Sequence, residues 1–284
     1  MAAPVFDQIA DVYDETRRAL DETTLKGIND MLGKYGCSSI LEIGVGTGRI
    51  ALPLIKSGYE VIGMDISRRM MEKARAKGMP SLFLAEGSKA PFREKSFDAT
   101  LMAHVFHLLD NPQSVMREAA RMSRVGVFAL VRKRTGTRFW SSLYGGEDDS
   151  DCSKMTESFD NEAERKFYHE RRARFRKIFE KYGWNPSQVF LNWRREQEIL
   201  ETYPPDDLKV VSEVFWNENM EERISRFEKG SYSSALRMPP EMRKEIIEEM
   251  RSSSHSPLPN EGLMRPRHEV YQVALWKSNR LLAP

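Results

Sequence analysis

A doubly wound, mostly parallel α/β sheet of seven strands with helical insertions is the fold this chain predicts, on three observations. Apolar runs of strand length alternate with helix-patterned segments through residue 131, the texture of parallel strands covered by helices on both faces. The first run, Ile40 to Ile43, passes directly into glycines at 44, 46 and 48 and then into a helix-patterned stretch, Arg49 to Lys56. The second run, Tyr59 to Met64, ends on an acid, Asp65, 21 positions past Gly44. A turn this tight between strand and helix needs glycine, because glycine takes positive φ freely and lets a ligand approach bare backbone. At the carboxyl end of a parallel strand, such a turn marks a nucleotide-type site.

The remaining elements follow in order. Ser81 to Ala85 reads as the third strand and Ser96 to Ala103 as the fourth. A helix over Pro112 to Met122 leads to a fifth strand, Val125 to Val131. The texture then changes. Residues 132–138 are basic and polar, and Gly145 to Asp151 reads as a loop. A long helix pattern runs from about Phe159 to Tyr182, with Phe175, Ile178, Phe179 and Tyr182 on one stripe. Leu208 to Trp216 alternates as a sixth strand, Asn219 to Glu228 and Pro240 to Arg251 are helical, and Arg267 to Trp276 is the last strand. Pro240 suits a first helical turn, where no amide hydrogen is needed. The expected division is a catalytic sheet domain over 1–135 and 206–284, with a helical lid insertion over 136–205.

Spacing decides which nucleotide is in question. A dinucleotide fingerprint would place its third glycine at position 49, which is Arg, and the phosphate-cradling Gly-Lys-Ser/Thr ending is absent. The run Glu42-Ile43-Gly44-Val45-Gly46-Thr47-Gly48 instead resembles the cofactor loop of class I S-adenosylmethionine-dependent methyltransferases. Asp65-Ile66-Ser67-Arg68-Arg69-Met70-Met71 is similar to the family's D-x-S-x-x-M-L segment. Glu86-Gly87-Ser88-Lys89-Ala90-Pro91-Phe92 is similar to its G-D-A-x-x-L-P-F segment, with Glu for Asp and Ala for Leu. Ser96-Phe97-Asp98 and His104-Val105-Phe106-His107-Leu108-Leu109 continue the match, so the resemblance covers 40–131 without a break and the chain resembles quinone-biosynthesis-like small-molecule members.

The resemblance implies a Rossmann-like sheet, S-adenosyl-L-methionine as cofactor, and a last strand antiparallel between the fifth and sixth. It assigns the ribose diol to Asp65, a charge-assisted pairing, the adenine face to Ile66, and the adenine amino group to Glu86. Ser67 offers Asp65 a plainer setting, as the cap of the following helix. Glu42 either touches the methionine moiety or holds the loop through backbone bonds. Phe6-Asp7-Gln8-Ile9-Ala10-Asp11-Val12-Tyr13-Asp14 is similar to the family's opening segment, which folds over the cofactor with its tyrosine near the methyl donor. The implied cofactor set is therefore Tyr13, Glu42, Gly44, Gly46, Gly48, Asp65, Ile66, Glu86 and His104.

Composition is compatible. The chain has 284 residues and a net charge of +2, enough for a full core and with no global pull toward nucleic acid. No apolar run reaches membrane-spanning length, Met1-Ala2-Ala3-Pro4 lacks a signal-peptide core, and Cys37 and Cys152 show no pairing context. A cytoplasmic protein without membrane contact is expected. No zinc spacing is present, and Asp148, Asp149 and Asp151 read as a solvated loop, so no metal is expected.

Methyl transfer from a sulfonium is an in-line displacement in which positioning alone contributes on the order of 7–11 kcal/mol. A general base is required only for an acceptor that arrives protonated. His104 and His107 are the candidates, and no catalytic side chain is assigned beyond them. The Asn/Asp-Pro-Pro-Tyr/Phe run of amino-methylating enzymes is absent, since Ala103 to Phe106 stands in its place, and neither cysteine suits cytosine-C5 chemistry. Trp140, Trp184, Trp193 and Trp216, with neighbouring aromatics, suit either a pocket for a planar small molecule or a core for the lid. Arg165, Lys166, Arg171, Arg172, Arg174, Arg176 and Lys177 make the helix over 160–182 basic, which opens an RNA-modifying alternative. Pairs such as Glu162–Lys166 and Glu170–Arg174 explain much of that charge locally. A small-molecule methyl acceptor is the leading expectation, and a non-catalytic binder of the cofactor is the third reading.

Overall fold

The structure, a computed structural model, describes residues 3–17, 20–135, 162–184, 195–216, 220–229, 235, 238–254 and 267–282. Among them, seven strands form one sheet: β1 (Ser39–Ile43), β2 (Glu60–Asp65), β3 (Leu82–Leu84), β4 (Phe97–Ala103), β5 (Ser123–Thr135), β6 (Asp207–Trp216) and β7 (Arg267–Lys277). Their order is β3-β2-β1-β4-β5-β7-β6, which puts the last strand between the fifth and sixth, as the resemblance implied. β1 pairs in parallel with both β2 and β4, β2 with β3, and β4 with β5. The order reverses between β1 and β4, the topological switch point where open α/β sheets bind ligands.

Successive residues of β1 divide between two cores. Ile40 packs with Ile28, Leu32, Val61 and Leu101, while Leu41 and Ile43 pack with Met64, Met102 and Val115. This is the period of two expected of a strand buried on both faces. α1 (Ala3–Ile9) and α2 (Tyr13–Thr16) open the chain, and α3 (Glu22–Lys34) starts where the Asp21 carboxylate accepts from the Thr24 amide at 2.8 Å. The crossovers are α4 (Ala51–Lys56), α5 (Arg68–Ala76) and α6 (Pro112–Met122). α6 is capped by Asn111, which accepts from the Ser114 amide at 3.1 Å.

The chain divides into two compact units. One comprises 1–133, 192–213 and 270–284, and the other 134–191 and 214–269. The sheet unit includes α8 (Arg195–Thr202), a helix its sequence pattern did not announce, and a short closing helix, α11 (Ser278–Leu281). In the second unit, α7 (Glu162–Lys181), α9 (Met220–Glu228) and α10 (Pro240–Ser254) share a core of Phe175, Phe179, Ile224, Phe227, Met242 and Ile246. The stripe read on the long helix is the face that builds this core. Its ion pairs differ from expectation. Arg174 reaches Glu249 on α10 at 2.6 Å, and Glu170 stands 4.0 Å from Lys166. Packing brings Glu249 to the helix face, and that carboxylate is more enclosed than Glu170. Cys152, the acids at 148, 149 and 151, Trp140 and Trp193 lie outside the described residues. Among the described residues, no helix is long and apolar enough to cross a membrane.

β5 and β7 approach each other closely at Gly126, where a Cβ would lie 2.3 Å from the Trp276 carbonyl oxygen and 3.1 Å from Lys277 Cα. Both obstacles are backbone and cannot rotate aside. Gly126→Ala is expected to cost about 3 kcal/mol, read as a lowered Tm. An unchanged melting curve would show that the two strands part without penalty.

Candidate active site

The site begins with the turn after β1. Gly44, Gly46 and Gly48 have φ of +76°, +55° and +80°, left-handed values that other residues adopt only with strain. The turn is stitched to the end of β2, where the Gly44 and Val45 amides donate to the Met64 carbonyl at 2.7 and 3.1 Å. Space is tight at Gly44, whose added Cβ would meet Val105 Cγ2 at 2.5 Å. Asp65 completes the arrangement. One of its carboxylate oxygens accepts from the Gly46 amide at 2.8 Å and the other from the Ser67 amide at 2.9 Å. Ser67 also caps α5, accepting from the Met70 amide at 3.2 Å. Burial pushes the Asp65 carboxyl upward, against the pull of backbone N–H groups from Ser67, Gly46 and Ile66.

A cavity of about 470 Å³ opens over this turn, entirely within the sheet unit. Tyr13, Glu42, Gly44, Gly46, Asp65, Ile66, Glu86 and His104 line it. Gly48 is the one member of the expected set that does not. Its amide donates to Val45 O at 2.9 Å, and a Cβ there would press on Leu52 at 3.2 Å, so it shapes the turn. Arg49, read from sequence only as a departure from the dinucleotide pattern, also lines the cavity. The volume falls in the range of small-molecule and cofactor pockets.

Two polar side chains with a buried, unpartnered atom stand in its wall, Glu42 buried and His104 half-buried. Glu42, 2% exposed, has an Oε2 without a hydrogen-bond partner among the described residues. Burial pushes its carboxyl up to about 8, the Ala51 amide pulls against this, and the Asp65 charge adds to the rise. His104 follows β4 with a left-handed φ of +54°, its amide donating to Leu130 O at 3.3 Å and its ring edge-on to Tyr271 with centroids 5.8 Å apart. Its Nδ1 is likewise without a hydrogen-bond partner among the described residues. Burial, with Arg132 adding, holds this imidazole down at about 3. A group that is neutral and this weakly basic is a poor match for general-base work near neutrality.

His107 lies in a short 3-10 turn, Phe106–Leu108, with Nδ1 3.3 Å from Glu196 Oε1 on α8. The other Glu196 oxygen accepts from the Arg132 amide at 2.8 Å. Burial opposes ionisation of Glu196, but the hydrogen bond and charge of His107, with His104 and Arg132, bring it down to about 2. No local pattern points to this carboxylate, because it stands far from both partners along the chain.

Three acids at helical spacing fasten the N-terminal segment beside the turn. Asp7 accepts from Ser67 Oγ at 2.5 Å and from the Arg69 amide at 3.2 Å. Asp11 pairs with Arg69 and Lys73, each at 2.6 Å. Asp14 accepts from Thr47 Oγ1 at 2.6 Å and pairs with Lys77. These contacts carry Tyr13 to the cavity wall.

Residues 41–131 match the family model described as a methyltransferase domain. An uncharacterised protein of Methanocaldococcus jannaschii is 33% identical over 144 residues, covering 49% of this chain and 66% of that protein. A demethylmenaquinone methyltransferase of Tropheryma whipplei is 32% identical over 129 residues, covering 43% of this chain and 54% of that protein. The chain thus spans less than two thirds of these curated relatives. The crystal structure of a methyltransferase from Thermotoga maritima aligns over 96% of this chain and 99% of its own, at 16% identity and a TM-score of 0.48. The family match makes residues 41–131 a methyltransferase domain, set on the parallel sheet and glycine turn described above.

Proposed function

We propose that the chain transfers a methyl group from S-adenosylmethionine to a small-molecule acceptor. One observation carries the reading: a single cavity joins the glycine turn, the Asp65 carboxylate and the unpartnered Glu42 oxygen. These groups fit the cofactor. Asp65 would accept from the ribose hydroxyls, Ile66 would face the adenine and Glu86 its amino group. Glu42 Oε2, which has no partner among the described residues, would take the ammonium of the methionine moiety. Tyr13, Gly44, Gly46 and His104 would complete the contacts, with Gly48 setting the turn. When bound, the cofactor supplies a methyl group already activated on a sulfonium. The chain contributes position, exclusion of water and a fixed field.

The acceptor class is supported by the relatives named for demethylmenaquinone methylation. The RNA alternative is weakened by the pairing of Arg174 and Lys181 on α7 with Glu249 and Glu245 of α10. Calorimetry with S-adenosylmethionine and S-adenosylhomocysteine tests the reading first, followed by transfer of labelled methyl into a metabolite extract and, in parallel, into RNA. Micromolar binding with label in small molecules is the expected result. Label in RNA would move the function to the second class. Binding without transfer to either would leave a cofactor-binding protein that is not an enzyme.

A further inference from the structure

We infer that residues 7–14 form a strap across the cofactor cavity, and that S-adenosylmethionine and its product exchange only when the ion pairs of Asp11 open. The inference rests on the methyltransferase reading and concerns the regulation of that same site.

Both ends of the segment stand on residues of the cofactor site. At one end, Asp7 accepts from the hydroxyl of Ser67, whose amide donates to Asp65, so the strap and the ribose carboxylate share one residue. At the other, Asp14 accepts from the hydroxyl of Thr47, a buried residue of the glycine turn that lines the cavity. Lys77, just past α5, closes this contact by donating to the Thr47 carbonyl at 3.2 Å and pairing with Asp14. Phe6, Tyr13 and Leu20 supply cavity wall from the same stretch of chain. A ligand that bonds Asp65 and the turn holds the residues on which the strap stands, so binding and closure favour each other.

What holds the strap is electrostatic and partly exposed. Asp11, between the two ends, pairs with Arg69 and Lys73, and the three side chains are 57%, 49% and 41% exposed. Ion pairs this open contribute little each and weaken as salt is added. The sheet-side wall is different. Ile43, Met64 and Val115 belong to a close-packed core that does not part locally. The motion that admits or releases the cofactor therefore falls to the strap, and departure of S-adenosylhomocysteine waits on its opening. Ile9 and Ala10 are buried as well, but apolar contact does not weaken with added salt, which separates the two kinds of hold. Asp11 itself does not line the cavity, so its charge reaches the cofactor through the strap.

The experiment times release, without turnover. The full chain is loaded with radiolabelled S-adenosylhomocysteine, chased with the unlabelled compound and sampled by rapid filtration. Release is expected to quicken roughly three- to tenfold between about 0.05 M and about 1 M NaCl. Asp11→Asn should quicken it by about the same factor at low salt and flatten its salt response, while Asp11→Glu keeps both near wild type. Lys73→Gln, which breaks one of the same pairs from α5, should move release in the same direction. Hydrogen exchange of the amides over 6–14 should slow when S-adenosylhomocysteine binds wild type. Release indifferent to salt, an Asp11→Asn protein with the wild-type rate, or unchanged exchange of the segment overturns the inference. So does an Asp11→Asn protein with the full salt response, since salt would then act on the charges of the cavity itself. Failure of S-adenosylhomocysteine to bind wild type instead overturns the reading beneath it.

Discussion

Glu42→Gln is expected to make the ligand-free protein more stable and the cofactor weaker, two effects of opposite sign from one atom. Glu42 is enclosed at the end of β1 with one carboxylate oxygen unpartnered, and burial raises its carboxyl from an ordinary 4.5 to about 8. In the unfolded chain the group ionises near 4.5, whereas in the fold it stays protonated until about 8. Between those values the unfolded state binds fewer protons, so stability falls as pH rises through this window and is flat above it. A tenfold difference in acidity between folded and unfolded chain corresponds to about 1.4 kcal/mol. After deducting about 1–2 kcal/mol for an unpaired amide NH2 in the variant, Glu42→Gln should gain on the order of 3–4 kcal/mol at high pH. Below pH 4.5 the gain should vanish and leave only the cost of the unpaired amide, because wild type is then protonated in the unfolded chain as well as in the fold. Thermal melts across this range measure it, and a variant less stable than wild type at high pH would show that the carboxylate is not desolvated.

The same substitution should weaken S-adenosylmethionine by about 10- to 100-fold, because an amide cannot neutralise an ammonium. Ionisation of Glu42 on binding should also release close to one proton at neutral pH. Calorimetry in buffers of different ionisation enthalpy reads that proton directly, and the glutamine variant should show none from this source.

The sheet was legible in the sequence for a physical reason. Parallel strands covered on both faces read as short apolar runs, so β1, β2, β4 and β5 announce themselves through residues such as Ile40, Leu41, Val61, Leu101 and Phe128. Strand ends were less exact. β3 shrinks to Leu82–Leu84, and β5 extends to Thr135 beyond its apolar run. The site was legible where local geometry fixes residue type, as at Gly44 and Gly46, whose positive φ leaves little choice. It was obscure where function depends on what the fold brings together. Glu196 meets His107 and Arg132 only through the docking of α8, and Arg49 becomes a cavity residue only once the turn is built. Gly48 shows the converse. Its residue type follows from the turn, yet its place in a motif does not bring it to the cavity wall.

Asp65→Ala is expected to abolish cofactor binding while changing stability far less. The carboxylate sits at the switch point with its two oxygens spread between the Gly46 and Ser67 amides, so it both pins the glycine turn and presents charge to the cavity. Losing two charge-assisted bonds to a ribose diol, at about 1.5–3 kcal/mol each, predicts an affinity loss of 100-fold or more. Stability responds to a smaller difference. Burial raises the Asp65 carboxyl despite its backbone bonds, which means the fold disfavours this charge on balance. Its contribution is therefore present when protonated and lost as pH rises through the raised folded value, and removing the group relieves that cost at neutral pH. The two amides left behind offset part of the relief, so a Tm change of only a few degrees is expected. Asp65→Asn should not restore binding. An amide has one acceptor oxygen, and its NH2 would face the Gly46 or Ser67 amide, donor against donor. Wild-type affinity in the asparagine variant would show that shape and not charge holds the ribose. A collapse of Tm in the alanine variant would make Asp65 a structural pin first and a ligand contact second.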